Sequence, residues 1–237
     1  MTAENPAQTI APAENEAQAS QPPAPPPTRI LLIRHGVNDY VKTRRLACRL
    51  PGVHLNAEGA AQAEAMAQRL SATKIDAVYS SPLERAQETA APLGRALNLP
   101  VQVIAGIMET DCGEWAGQKI EDLNKLDLWK QLQVYPSGVR FPGGESFADI
   151  QARMVASIEK LSVEHAHQTI ALVSHADPIK LTLAFYAGIP LDLFQRLTIA
   201  PASISEIEFG SFRPAIVRIN DCAHIPPPPE TPAEDKK

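Results

Sequence analysis

The chain is poor in cysteine, in clustered basic residues and in uninterrupted apolar runs, and each shortage excludes something. Cys48, Cys112 and Cys222 stand far apart, with no CxxC pair among 237 residues. An odd, sparse set argues for a reducing compartment rather than a disulfide framework. The 22 lysines and arginines form no long run, and the net charge is −5. Nucleic acid, whose phosphates are met by basic stripes, is therefore not the expected partner. A small anionic substrate fits, because one local pocket can be basic on an acidic protein.

The most apolar stretch, 170–194, is broken by His175, Asp177 and Lys180, so no membrane span and no membrane partner are expected. Residues 1–28 hold no Lys or Arg, carry Glu4, Glu14 and Glu16, and lack an apolar core, unlike a secretory leader. The expected location is cytoplasmic. His165 and His167 lie two apart and do not share a helix face, and no Asp/His cluster with metal spacing accompanies the other histidines. Neither a metal nor another cofactor is expected.

What is present begins with a break in composition near residue 28. Residues 1–28, ending in "PPAPPP", and 226–237 are rich in Pro, Ala and Glu with few large apolar groups. Such segments bury too little to offset their ordering entropy, so both are expected to be disordered tails. "PPAP" also matches a PxxP ligand. Between the tails, 29–225 reads as one domain. "RILLI" and "TIALVSH" are continuous apolar runs, the signature of strands covered on both faces. "DAVYS" and "VQVI" are short strands; 57–70, 81–97, 146–166 and 178–188 have helical spacing.

Ser81 with Pro82 is a candidate start for the second of these helices, and Pro92 is expected to kink or restart it. Ser146 and Asp149 are spaced as a capping box. "SISEIEFG" and "PAIVRIN" alternate as a terminal antiparallel hairpin. The alternation of strand and helix gives an α/β fold: a three-layer α/β/α sandwich around a mostly parallel central sheet.

The two most apolar strands end on His35 and His175. Ligands of open α/β sheets bind outside the carboxyl ends of the strands, so neighbouring parallel strands would bring both imidazoles to one edge. Arg34 precedes the first histidine, and Arg85 sits in the first turn of the helix after "DAVYS". A cation is unfavourable at a helix N-terminus, which implies an anionic partner for Arg85. The bland alternative is an exposed arginine paired with Glu84 or Glu88. Together these parts suggest a phosphate site. Guanidinium forks match phosphoryl oxygens, and one imidazole can attack phosphorus if neighbouring positive charge keeps it neutral. Gly36 would let the backbone approach the oxyanion. A proton donor for the leaving alcohol is offered by Glu109, with Glu114 as competitor.

"LLIRHG", "SSPLERAQETA", "METDCGEWAG", "FPGGES" and "LVSHADPIK", in this order, resemble the histidine phosphatase superfamily, also called phosphoglycerate mutase-like, and "RLPGVHLNAEG" with "FPGGES" resembles its bacterial phosphomutase branch. The resemblance implies phosphorylation of His35, a phosphoryl grip by Arg34, Arg85 and His175, and Glu109 as general acid/base. It also implies an α/β/α sandwich without metal. Where the family has Thr and Asn three and six residues beyond the histidine, this chain has Asn38 and Val41. Asn38 can still donate to a phosphoryl oxygen; Val41 cannot. Ala176 replaces the glycine that usually follows the second histidine.

The remaining conspicuous residues divide between packing and the rim of the site. Trp115 and Trp129 read as packing. His54 and the group Arg44, Arg45 and Arg49 are either solvated loop or the border of the pocket, where the arginines would meet a remote anionic group of the substrate. Asp177 would hold His175 or Lys180. The leading function is hydrolysis of a small phosphorylated substrate. A phosphomutase is the alternative, disfavoured because the 118–142 stretch is short where mutases dependent on bisphosphoglycerate carry a longer lid. A non-catalytic phosphate-binding scaffold is a third reading, disfavoured because the nucleophile is present.

Overall fold

The structure is a computed structural model and describes residues 25–225. Of the two expected tails, residues 1–24 and 226–237 lie outside the described residues. Thr28, placed before the domain by composition, is already the first residue of β1 (Thr28–Arg34) and is buried.

After β1 come the short α1 (Asp39–Lys42) and α2 (Ala57–Leu70), capped by Asn38 and Asn56, whose side chains accept from backbone N–H groups three residues on. Next are β2 (Ala77–Ser80), α3 (Glu84–Leu97) and β3 (Val101–Val103). The chain then forms two short helices, α4 (Ile120–Leu123) and α5 (Asp127–Val134). Then α6 (Phe147–Glu164) opens on the Ser146/Asp149 capping box. It is followed by β4 (Thr169–Ser174) and by α7 (Ala176–Ala187), which Gly188 closes in the left-handed region at φ 67°. β5 (Ile204–Phe209) and β6 (Pro214–Asp221) form the terminal hairpin.

The sheet order is β3-β2-β4-β1-β5-β6. β3, β2, β4 and β1 run parallel, while β5 and β6 add an antiparallel edge. Period-two alternation along β1 sorts its side chains between two cores. Ile30 and Leu32 join Phe147, Ile150 and Met154 of α6 and Ile179 and Leu183 of α7. Leu31 and Ile33 face the other way, onto Met66 and Leu70 of α2 and Ala86, Ala90 and Leu93 of α3. Each fully buried Leu or Ile contributes about 1.5–3 kcal/mol, so both cores hold the central strands firmly. This is the three-layer sandwich, with β1 and β4 as its centre.

Three expectations need correction. α3 begins at Glu84, with Leu83 as a cap that makes no side-chain bond, and Ser81 is not its N-cap. The helix also runs unbroken through Pro92, which is buried where α3 packs on the sheet and α2. Packing on two sides outweighs the one backbone hydrogen bond that proline forfeits. Finally, Cys48 and Cys112 form a disulfide, their Cα atoms 5.9 Å apart, whereas Cys222 is free. Their separation of 64 residues hid the pairing, because the loops that follow β1 and β3 meet over one end of the sheet.

Candidate active site

β1 and β4 are in register, Arg34 opposite Ser174, so His35 and His175 leave the sheet side by side. Their ring centroids lie 5.1 Å apart and both rings are buried. The turn that carries His35 is packed backbone against backbone. A Cβ on Gly36 would come within 2.5 Å of the Gly59 carbonyl oxygen. The Gly36 N–H donates to Thr89 Oγ1 at 3.0 Å, and the Val37 N–H to Gln62 Oε1 at 3.0 Å. Gly36 therefore makes room for α2, and its own N–H is held by α3, a different use from the expected approach to an oxyanion.

His35 Nδ1 lies 2.7 Å from the Gly36 carbonyl oxygen. A carbonyl only accepts, so Nδ1 carries the hydrogen and Nε2 keeps its lone pair. Arg85 Nε donates to that Nε2 at 3.3 Å. Arg85 is fully buried; its Nη2 donates to the Cys48 carbonyl at 2.7 Å and lies 3.9 Å from Glu109 Oε2. Glu109 is thus its anionic partner. Glu84 and Glu88 are engaged elsewhere, with the Gly52 N–H and with His54 and the Leu55 N–H.

Glu109 Oε2 also lies 3.6 Å from His175 Nδ1, and Ser81 Oγ lies 2.8 Å from His175 Nε2. Arg34 donates through Nη1 to the Ile199 carbonyl at 2.6 Å. Asn38, fully buried, spends Oδ1 on the Val41 N–H. Five buried polar atoms of this neighbourhood have no partner: Arg34 Nε, Asn38 Nδ2, Arg85 Nη1, Thr110 Oγ1 and His175 Nδ1. An unpaired buried polar group costs about 1–3 kcal/mol, so their concentration at one end of the sheet marks a place built for a guest.

The electrostatics select the guest's charge. Burial, then Arg34 and Arg85, hold the His35 imidazole well below its ordinary range. Burial, then Arg85 and His35, do the same to His175. Burial pushes the Glu109 carboxyl up against the opposing pull of Arg85. The result is a pair of imidazoles biased toward their neutral form, a carboxyl biased toward its protonated form, and two guanidiniums beside them. His35, Glu109 and His175 each offer a ligand atom within 4.8 Å of the others. The adjacent guanidiniums repel a cation from that triangle and favour an anion.

A cavity of about 540 Å³ adjoins this group through Arg34 and Glu109 and is bordered further by Val41, Arg44, Arg45 and Lys180 among others. Trp129 lines it while packing edge-on against Trp115. Arg49, expected with Arg44 and Arg45, turns away toward the Glu109 carbonyl. His54 pairs with Glu88 at the surface, and Asp177 pairs with Lys180 at 3.2 Å. His165 meets the Tyr79 hydroxyl, remote from the His35 site. The roles of Ser81, Thr89 and Gln62 were not readable from sequence; each sits in an ordinary helical or turn context, and only the fold aims it at the site.

A paired-histidine, two-arginine anion site on this sheet edge is the arrangement of a histidine phosphatase-type enzyme. The chain belongs to the histidine phosphatase superfamily (branch 1), whose family model matches residues 30–222. Among curated proteins it is 31% identical over 199 residues to "Phosphoserine phosphatase 1" of Hydrogenobacter thermophilus, covering 83% of this chain and 94% of that one. Among solved structures it resembles a phosphoserine phosphatase mutant from Entamoeba histolytica in complex with phosphoserine. The TM-score is 0.76 and the identity 26%, over 84% of this chain and all of that one. It also resembles a mycobacterial glucosyl-3-phosphoglycerate phosphatase, with TM-score 0.74 and 27% identity over 81% and 98% of the two chains.

Proposed function

We propose that the protein hydrolyses the phosphomonoester of a small metabolite, without a metal, through a phosphohistidine at His35. The observation that carries this reading is the His35 tautomer: Nδ1–H fixed on Gly36, which leaves Nε2 unprotonated, its lone pair accepting from Arg85 Nε until a phosphoryl group draws that donor away. In the first step the Nε2 lone pair attacks phosphorus, the bond to the alcohol oxygen breaks, and the Glu109 carboxyl passes its proton to that oxygen. Arg34, Arg85, His175 and Asn38 hold the phosphoryl oxygens through the unpaired atoms named above. In the second step water attacks phosphorus, Glu109 takes a water proton, and the P–N bond breaks to release inorganic phosphate. The guanidiniums supply the positive charge that a divalent ion would otherwise bring.

The names of the relatives support a small phosphorylated substrate. Hydrolysis is favoured over transfer because the 118–142 stretch forms only the short α4 and α5 and leaves the border of the cavity at Arg44 and Arg45 exposed. Acid quench with phosphate-labelled substrate tests the reading. Wild type should trap label on the protein and release inorganic phosphate, whereas His35→Ala should do neither, and EDTA should change nothing. A rearranged phosphate ester as product would instead make the enzyme a mutase.

A cytoplasmic location belongs to the proposal, and the Cys48–Cys112 bond weighs against it, since thiol-buffered compartments keep such pairs reduced. Because both cysteines are buried, acid-quenched cells alkylated in denaturant decide this: labelling of both cysteines places the protein in a reducing compartment, protection of both places it elsewhere. Among the described residues no helix is long and apolar enough to cross a membrane.

A further inference from the structure

The "FPGGES" segment has no part in the chemistry above, yet its glutamate lies at the centre of a network that ends on Glu109. Glu145 receives Arg153 twice, Nε on Oε1 at 2.9 Å and Nη2 on Oε2 at 3.1 Å. Arg49 Nη2 meets the same Oε2 at 2.8 Å. Both arginines then donate to one carbonyl, that of Glu109: Arg153 Nη2 at 3.0 Å and Arg49 Nε at 2.9 Å. Arg153 Nη1 also holds the carbonyls of Gly106 and Met108, at 3.1 and 2.7 Å. The two segments are stitched together as well, by Asp111 N–H to Glu145 Oε2 at 3.1 Å and Glu145 N–H to the Asp111 carbonyl at 2.9 Å.

The clamped carbonyl belongs to the peptide unit Glu109–Thr110. The N–H of that same unit donates to Glu109 Oε1 at 2.8 Å. Fixing the plane of this peptide therefore fixes the rotation of the carboxyl group. With Oε1 tied to the backbone, Oε2 is the oxygen left facing Arg85 and His175. Two guanidiniums on one oxygen also use both of its lone pairs, so the peptide cannot turn without breaking two charge-assisted bonds.

We propose that Arg153 and Arg49, gathered by Glu145, are positioning residues that aim the proton-bearing oxygen of Glu109 at the leaving group. The proposal rests on Glu109 as the general acid. A misplacement of about 1 Å can cost about a hundredfold in rate, so loosening the clamp should cost at least about tenfold in kcat/KM. The loss should fall on substrates whose leaving oxygen needs a proton. KM should hold, because no clamp residue faces the phosphoryl pocket.

The test compares kcat/KM, which reports only the steps through phosphoryl transfer to His35 and so leaves out the shared dephosphorylation, on an alkyl phosphate and on p-nitrophenyl phosphate for Arg153→Lys, Glu145→Gln and Arg49→Lys. A drop in the alkyl-to-aryl ratio of about tenfold, absent when the same change is made in a Glu109→Gln background, supports the clamp. An equal loss on both substrates, or none, overturns it. Arg49→Lys, the most exposed of the three, keeps the test usable if Arg153 variants fold poorly. If Glu109→Gln alone leaves the ratio at the wild-type value, the assignment of the acid fails first and takes the clamp's role with it. If Glu109→Gln lowers the ratio but the clamp variants do not, only the clamp fails.

Discussion

β1 carries an arginine near each end, and the two live under opposite rules. At the start, Arg29 reaches Glu206, a fully buried carboxylate on β5, and lies 3.4 Å from Glu208. Arg218 of β6 meets Glu206 from the other side at 2.9 Å and Asp221 at 3.2 Å. With Arg69 of α2 also paired to Asp221, three cations thus face three carboxylates, Arg29 reaching Glu206 and Arg218 reaching Glu206 across neighbouring strands. At the end of β1, Glu109 is the nearest anion to Arg34 and Arg85, and burial biases its carboxyl toward the neutral acid, while Asp177 and Glu84 are engaged with Lys180 and the Gly52 N–H. The first cluster is compensated from within. The second has positive charge left over and unpaired donors to carry it. Identical residue types therefore build a brace at one end and a receptor at the other, and the difference is how many anions the fold supplies.

The largest effect that can break this contrast is expected from Arg85→Met. Removing a charge-stabilising donor costs about 10²–10³ in rate, so kcat/KM should fall by that order in steady-state kinetics. The thermal midpoint should move little, because the bonds lost to the Cys48 carbonyl and His35 are offset by removal of a buried cation whose Nη1 has no partner. A midpoint that collapses would mean that Arg85 braces the fold as Arg29 does.

Glu206→Gln is the mirror experiment. It leaves two arginines around a lost charge, and should lower unfolding free energy by about 3 kcal/mol by urea titration, the low end for a broken buried pair because both arginines reach water. Turnover should be unchanged. Loss of activity at wild-type stability would deny the division between the two ends.

The smallest effect sharpens the contrast through pH. His35 and His175 are held below their ordinary value of 6.5, so between that value and their native ones the unfolded chain binds more protons. Stability should then decline as pH falls below 6.5, and His175→Ala should flatten that slope. Glu109 is raised above 4.5 and works in the opposite direction: its contribution is lost as pH climbs through its native value. Because a protonated His35 cannot attack, the acid limb of kcat/KM should lie below pH 6.5. Loss of the Glu109 proton should set the alkaline limb, above pH 4.5.

The part of this contrast visible in the sequence was the part written in local pattern. Continuous apolar runs marked β1 and β4, and their terminal histidines fell at one edge because both strands carry the same register of ending. The Ser146/Asp149 box and Gly188 fixed the bounds of α6 and α7 to within two residues. Arg85 was read as needing an anion, and Glu109 is there. What stayed hidden depends on loops that meet only in space. Ser81 looked like a helix cap, yet its hydroxyl faces His175. Glu145 looked like one more family residue, and nothing near it in sequence points to Arg49, 96 positions earlier. Pro92 reads as a helix breaker in any local scheme, because the packing that overrides it comes from other elements.

The Cys48–Cys112 bond turns residues 48–112 into a covalent ring that contains β2, α3 and Arg85. Closing a ring of this size restricts the denatured chain by about 4 kcal/mol in the loop-entropy account. The same ring makes a single protease cut between 49 and 111 invisible on a non-reducing gel, since both pieces travel together until the sulfurs part. Its largest influence thus falls on a chain that has not yet folded, in which neither histidine has found the other.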